Sequence, residues 1–245
     1  MIETKGVIKP LKAILLAAGY GTRLRPITYV TPKCLVPVGE KTLLDRWINK
    51  LQEINCKEIG INLHYLGGII EKHLLEKAGK EKLRMFKEDV LLGTAGTIKE
   101  NYRFFKNSRG IIVHADNIME ESLRGLVNAH EQRPSHCIMT MLTYTTNVPE
   151  SCGIVVKDMK DVVIGFHEKK KEDYGTCANG AIYIVENEFF DEIKGMDQNQ
   201  RDISINIIPK LIGRIYTYHT DMYFDDIGNK ERLQKADRYF SKLEG

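Results

Sequence analysis

No apolar run in the 245-residue chain approaches the roughly 20 residues that cross a bilayer, and residues 1–10 lack the apolar segment of a secretory leader. The expectation is a cytoplasmic protein with no membrane partner. The five cysteines, Cys34, Cys56, Cys137, Cys152 and Cys177, are odd in number and contain no Cys-x-x-Cys pair, which argues against a disulfide framework and a zinc site. Neither sign of charge is in excess: 36 basic residues face 33 acidic ones, and a net charge of +3 does not supply the footprint of a nucleic-acid binder. Positive potential therefore has to be local. Internal repeats and low-complexity linkers are missing too, while 42% hydrophobic content suffices for a full core.

What is present is a stretch, residues 15–38, that starts as an apolar strand and becomes a glycine-rich loop carrying Arg23, Arg25 and Lys33. Gly19 and Gly21 have no Cβ, so the backbone can turn sharply there and main-chain N–H groups can approach an anion. Neither common phosphate-loop motif fits. The third glycine of the dinucleotide-binding pattern is replaced by Leu24, and no Gly-Lys-Ser/Thr follows.

The apolar periodicity predicts strands and helices in alternation. Residues 12–16 read as a buried strand, and Thr42 as the N-cap of a helix with apolar Leu43, Leu44, Trp47, Ile48, Leu51 and Ile54. Ile59, Ile61 and Leu63 alternate as a strand, a short helix follows Gly67-Gly68, a strand lies near 83–86, and a helix runs from about Ile98. A strand over 110–116 ends in Asp116. This order is that of a parallel α/β sheet, which binds ligands at the carboxyl ends of its strands, where the glycine loop and Asp116 both lie. Beyond it the pattern predicts a helix over 121–132 and a strand over 137–145. Short strands over 153–156, 162–166 and 179–185 then suggest an antiparallel lid. Helices over 187–193 and 203–211, the second kinked or ended by Pro209, a strand over 214–218 and a helix over 229–243 complete the chain. His64 and His73 have no carboxylate cluster beside them and are not expected to bind metal; Cys34 reads as a small buried hydrophobe.

The run Gly-Tyr-Gly-Thr-Arg-Leu-Arg-Pro at 19–26, with Thr31-Pro32-Lys33, Leu35 and Pro37-Val38 after it, resembles the opening of the sugar-1-phosphate nucleotidyltransferases. Four further stretches are similar to family elements and stand in family order: Leu92-Gly93-Thr94-Ala95-Gly96, Asp116, Phe166-His167-Glu168-Lys169, and Asp225-Asp226-Ile227-Gly228. The resemblance covers about residues 12–236. It implies a three-layer, Rossmann-like α/β fold of the glycosyltransferase-A kind, with a mainly parallel mixed sheet and a small antiparallel sugar-binding lid. A single domain over 1–245 is expected, with a nucleotide-binding core at about 12–150, a sugar-phosphate-binding part at 151–228 and a closing helix at 229–245. Some relatives carry a C-terminal β-helix of hexapeptide repeats, which the short remainder after Gly228 leads us not to expect here.

The resemblance also assigns roles. Leu16, Ala17, Ala18, Gly19, Gly21, Thr22, Arg23 and Lys33 would hold the triphosphate, with Tyr20 over the nucleotide, and Gly93, Thr94, Ala95 and Gly96 would contact the base. Gly153, Glu168, Lys169 and Asn179 would bind the sugar phosphate, Asp116 and Asp226 would hold Mg2+, and Arg23, Lys33 and Asp116 would be catalytic. The implied partners are a nucleoside triphosphate and a sugar 1-phosphate, with homo-oligomerisation left open. Gly-Thr-Ala-Gly looks most like the loop of guanylyltransferases for mannose or heptose 1-phosphate, but cytidylyl-, uridylyl- and thymidylyltransferases use similar loops. Two departures stand out: Lys170-Lys171 where the family usually has proline, and His114-Ala115 before Asp116 where many relatives have glycine or asparagine. Two other classes stay open. A glycosyltransferase would carry an Asp-x-Asp metal motif, of which only the adjacent Asp225-Asp226 is a candidate; a non-catalytic nucleotide-sugar sensor would have lost Lys33, Asp116 or Asp226.

Overall fold

A computed structural model describes residues 9–77 and 83–245. In chain order its strands are β1 (Leu11–Leu16), β2 (Pro37–Val38), β3 (Lys41–Thr42), β4 (Glu58–Leu63), β5 (Leu83–Lys87), β6 (Arg109–His114), β7 (Asn117–Met119), β8 (Met139–Thr145), β9 (Gly153–Lys157), β10 (Val163–Glu168), β11 (Cys177–Val185), β12 (Ile215–Thr220) and β13 (Phe224–Asp226). The α-helices are α1 (Leu43–Glu53), α2 (Gly67–Lys77), α3 (Thr94–Glu100), α4 (Arg124–Gln132), α5 (Asn187–Lys194) and α6 (Lys230–Glu244). No helix among the described residues is long and apolar enough to cross a membrane.

Among the described residues, nine strands form one mixed sheet along the path β10-β9-β11-β6-β1-β4-β5, with β8 joined to β11 and β12 joined to β8. The pairs β6/β1, β1/β4, β4/β5 and β8/β12 are parallel, whereas β11 runs antiparallel to β6, β8 and β9. In β1, Ala13, Ile14 and Leu15 are all fully buried. Ala13 and Leu15 belong to one apolar cluster, with Trp47 of α1, Ile70 of α2 and Leu126 of α4. Ile14 belongs to another on the opposite face, with Ile98 of α3 and Phe189 of α5. Successive strand residues point to opposite faces, so two cores sandwich the sheet and the fold has three layers.

The expected α/β alternation is present, and Thr42 caps α1 by accepting a hydrogen bond from the Asp45 N–H at 3.1 Å. Local boundaries differ for identifiable reasons. Helix α3 starts at Thr94 rather than near Ile98, because Gly93 adopts φ +78° and serves as its N-cap. Helix α4 starts at Arg124 rather than 121, since the carbonyls of Glu120 and Glu121 accept hydrogen bonds from Lys50 Nζ instead of continuing a helix. Residues 203–211 form no α-helix. A π-turn over Ile203–Ile207, capped by Asp202, passes into a 3₁₀ turn over Ile208–Leu211 whose first turn accommodates Pro209, which has no N–H to donate. The antiparallel strands β9 and β10 continue the main sheet beyond β11. Two short antiparallel pairs, β2/β3 and β7/β13, were absent from the sequence reading, and the second builds the site.

Candidate active site

The glycine loop leaves the carboxyl end of β1. Gly21 sits at φ +61°, and a Cβ there would lie 2.9 Å from Thr28 Cγ2 and 3.2 Å from Lys33 Cβ, so both the conformation and the space require glycine. Thr28 Oγ1 donates to the Gly21 carbonyl at 2.7 Å and holds the turn. A Cβ on Gly19 would meet nothing within 4 Å; this part of the loop faces an open cavity of about 210 Å³. Leu24 anchors the loop from below. It is fully buried in a small cluster with Ile118 of β7, Ile227 just after β13, and Ala236 and Phe240 of α6. One apolar cluster thus ties together the glycine loop and the segments following Asp116 and Asp226.

Those two aspartates are brought together by backbone pairing. Asp226 of β13 is registered opposite Asn117 of β7, the residue after Asp116, and the Ile227 N–H donates to the Asp116 carbonyl at 3.0 Å. Between them lies Lys33, whose Nζ is 2.5 Å from Asp116 Oδ2 and 3.4 Å from Asp226 Oδ1 with its side chain only 11% exposed. The two carboxylates can be no farther apart than the sum of those distances. Burial works against the ammonium, but Asp116 and Asp226 outweigh it and hold the Lys33 pKa above its ordinary value. Burial likewise opposes charge on Asp116, and the Lys33 ammonium outweighs it, holding that carboxyl below its ordinary value. Arg23, largely exposed, adds a guanidinium 3.8 Å from Asp226 Oδ2, and a Cβ on Gly228 would lie 3.0 Å from it. The adjacent Asp225 faces elsewhere: its Oδ1 accepts from Arg232 at 2.9 Å, while burial pushes its pKa up.

Two carboxylates facing one point, each about a third exposed, are a hard-oxygen donor set of the kind that suits a divalent cation retaining waters and phosphate ligands. No group of three or more His, Cys, Asp or Glu side chains able to hold a metal occurs among the described residues. His64 lies between the Glu88 carbonyl and the Tyr20 hydroxyl, and His73 pairs with Asp45. Cys34 is buried, and burial pushes its thiol up to about 12, so it packs as a small hydrophobe.

At the other side of the loop, residues the sequence reading did not single out join it to Gly93, Thr94, Ala95 and Gly96. The Ala17 N–H donates to Asn62 Oδ1 at 2.6 Å, Asn62 Nδ2 donates to Glu88 Oε1 at 2.8 Å, and Thr97 Oγ1 donates to the same oxygen at 2.5 Å. Glu88 Oε2 accepts from the Leu92 N–H at 3.2 Å. The signal was legible only as an isolated Asn62 within the apolar β4. Leu16, Ala17, Ala18 and Gly19 line the cavity together with Lys33, Gly93, Thr94 and Asp116. Thr94 to Gly96 form the first turn of α3 rather than a loop, and Gly93 packs so closely that a Cβ would lie 2.6 Å from the Arg201 carbonyl.

The remaining predicted residues gather on β9, β10 and β11. Gly153 is registered opposite Glu168, and a Cβ there would lie 2.5 Å from Phe166 Cζ and 2.6 Å from Glu168 Oε2. Lys169 follows at φ +50°, donates its N–H to the Cys152 carbonyl at 2.9 Å, and pairs with Glu168 at 3.1 Å through a largely exposed ammonium. Asn179 is already engaged at both ends of its amide. Its Nδ2 donates to the Tyr183 hydroxyl at 2.8 Å and its Oδ1 accepts from the Ala181 N–H at 2.9 Å, bracing an irregularity in β11.

A family model for nucleotidyl transferases matches residues 12–242. A UTP–glucose-1-phosphate uridylyltransferase of Synechocystis sp. is 27% identical over 235 residues, covering 89% of this chain and 60% of that protein. The mannose-1-phosphate guanyltransferase 2 of Candida glabrata is 28% identical over 242 residues, covering 95% and 66%. The chain therefore spans about 60–66% of the length of these curated relatives. A crystal structure of a Bacillus anthracis protein, provisionally assigned as a glucose-1-phosphate thymidylyltransferase, superposes with a TM-score of 0.84 at 24% identity, covering 94% of this chain and 95% of that one.

Proposed function

The chain belongs to the nucleotidyl transferase family, and we propose that it makes a nucleotide sugar by transferring a nucleotidyl group from a nucleoside triphosphate to a sugar 1-phosphate, with release of pyrophosphate. The observation that carries this reading is the Lys33 ammonium held between Asp116 and Asp226 beside the Gly19–Gly21 loop. A phosphate monoester, with its second pKa about 6, is already largely dianionic at neutral pH, so its oxygen can attack the α-phosphorus without a protein base. Positioning and neutralisation of charge are what the protein has to supply. In this reading the loop from Leu16 to Thr22 cradles the triphosphate, Arg23 and Lys33 neutralise the departing pyrophosphate, and Gly93 to Gly96 meet the base. Gly153 lets Phe166 and Glu168 pack closely against β9 and so sets where Glu168 meets the sugar, Lys169 meets the attacking phosphate, and Asn179 shapes that end through the β11 irregularity. Asp116 and Asp226 would hold magnesium, which when bound supplies positive charge shared by the phosphates of both substrates.

For the substrates we propose GTP with mannose or heptose 1-phosphate. Gly93-Thr94-Ala95-Gly96 and the similarity to a mannose-1-phosphate guanyltransferase support it; the similarity to a uridylyltransferase supports UTP as the second reading. Pyrophosphate release measured across ATP, GTP, CTP, UTP and dTTP, each with mannose, heptose and glucose 1-phosphates, separates them. GTP giving the highest kcat/KM is the expected result, and no signal with GTP and any of these sugars would refute the guanylyl assignment.

A further inference from the structure

A second cavity, about 440 Å³, opens between the turn after α3 and helix α5 and shares no lining residue with the cavity beside the glycine loop. The two lie at opposite ends of β6: Asn107, which lines the second, precedes the strand, and His114, which lines the first, ends it. At about 3.3 Å per residue, that places them roughly 20 Å apart.

The lining divides by chemistry. Phe105 and Phe190 are buried, stack 4.5 Å apart in the cluster of α3 and α5, and offer the cavity only apolar carbon. Tyr102 stands beside them, partly exposed, with Lys194 Nζ 4.7 Å from its ring centre. Arg103, Lys106 and Lys194 bring three positive charges against the single carboxylate of Asp191, which is already paired with Lys194 at 2.8 Å. Arg103 Nε donates to the Tyr102 hydroxyl at 3.3 Å, and neither Arg103 nor Lys106 has a carboxylate partner among the described residues. The hydrogen bond and charge of Arg103, with the charge of Lys194 adding, hold the Tyr102 phenol below its ordinary value, so the positive potential reaches the cavity wall. In a chain whose net charge is only +3, this is a local excess.

A bare anion would leave the aromatic wall facing water, and an uncharged ring would leave the cations unanswered. A ligand carrying both a ring and several negative charges meets the whole lining, and phosphate oxygens answer more than one cation at once. The volume falls in the range of about 300–1,000 Å³ usual for small-molecule sites.

We propose that this cavity is a second small-molecule site that takes a phosphorylated nucleoside, its base against Tyr102 and the phenylalanines and its phosphates toward Arg103 and Lys106. Stacking tolerates any base, so the site does not share the base preference of the active site. A nucleoside triphosphate and a nucleotide sugar both carry this chemistry, and the experiment includes both. None of the lining residues is assigned to nucleotidyl transfer, so the proposal does not rest on that reading.

Equilibrium dialysis of the full chain counts ligand bound per chain for GTP, ATP, GDP-mannose, guanosine and pyrophosphate. Wild type, Tyr102→Ala and the double variant Arg103→Glu with Lys106→Glu are compared, with melting temperature and turnover followed alongside; Arg103 and Lys106 are exposed, so reversing their charge leaves the packing intact. The expected result is two nucleotides per wild-type chain, the second filled by ATP as well as by GTP. Its affinity should fall at least about tenfold in the double variant, as loss of two charge-assisted contacts requires, with melting temperature and turnover unchanged. Tyr102→Ala should weaken the second nucleotide and leave pyrophosphate as in the wild type. A second equivalent filled by GDP-mannose alone makes the nucleotide sugar the ligand of the site. Guanosine or pyrophosphate filling it as tightly as GTP leaves the charge or the ring without a role and overturns the ligand class. A second equivalent that survives charge reversal, or a single equivalent that reversal does not touch, overturns the site. A single equivalent abolished by reversal keeps this site and contradicts the nucleotidyl-transfer reading instead, and no bound nucleotide at all overturns both.

Discussion

Lys33→Met keeps the length of the side chain and removes its charge, leaving Asp116 and Asp226 facing each other without the ammonium that separates them. Removing one partner of a buried pair costs about 3–5 kcal/mol. Here the two carboxylates are 35% and 34% exposed, so water screens part of the repulsion, and we expect about 2 kcal/mol, or roughly 4–8 °C in Tm for a chain of this size. The pH dependence gives the sharper test. In the wild type Asp116 has a lowered pKa, so its contribution is present above the ordinary value of 3.8 and is lost as pH falls through the lower folded value. Lys33 has a raised pKa, so its contribution is present below the ordinary 10.5 and is lost as pH rises through the higher folded value. In Lys33→Met the sign for Asp116 reverses. Burial and its neighbour then raise its pKa, and the destabilisation, greatest at pH 7.5, is relieved as the carboxyls take up protons. Thermal unfolding of both proteins at pH 7.5 and pH 4.5 should show the deficit shrinking by at least about half at the lower pH, with turnover at pH 7.5 reduced at least about a hundredfold. An equal deficit at both pH values, or near-normal turnover, would refute the proposed arrangement.

Two further substitutions probe other parts of the site. Asp226→Asn should lower turnover at least about a hundredfold, whereas Asp225→Asn, altering a side chain that faces Arg232, should stay within about threefold of the wild type and show its effect in melting temperature instead. Equal losses in the two would show that the strand pairing does not select between them. Thr97→Val removes the hydroxyl that donates to Glu88 while keeping the shape; it should cost about 1–3 kcal/mol in urea unfolding and raise nucleotide KM more than sugar KM.

Much of this was legible because the relevant signals are local. The apolar runs of β1, β4 and β6 and the glycines of the loop declare themselves by periodicity and by the backbone freedom they provide. What was hidden depends on pairing between distant segments. Nothing within Asp225-Asp226 says which carboxylate faces Lys33; the registration of β13 against β7 decides it. Nor does a lone Asn62, or Glu88 just after β5, announce that the two meet Thr97 in one buried network beneath the glycine loop. Residues 203–211 have helical apolar spacing, yet Asp202 at its cap and Pro209 within it favour turns. The amide of Asn179 is spent on its own strand, a constraint no sequence pattern carries.

Phosphorus NMR of one reaction mixture, containing the full chain, magnesium, GTP and mannose 1-phosphate, with UTP and glucose 1-phosphate in parallel, tests nucleotidyl transfer most directly. The prediction is that a nucleotide-sugar diphosphate and pyrophosphate appear in equal amounts as triphosphate and sugar phosphate disappear. Release of a nucleoside diphosphate from an added nucleotide sugar, as a glycosyltransferase would give, or calorimetric binding of these substrates without either product, as a sensor would give, contradicts the account.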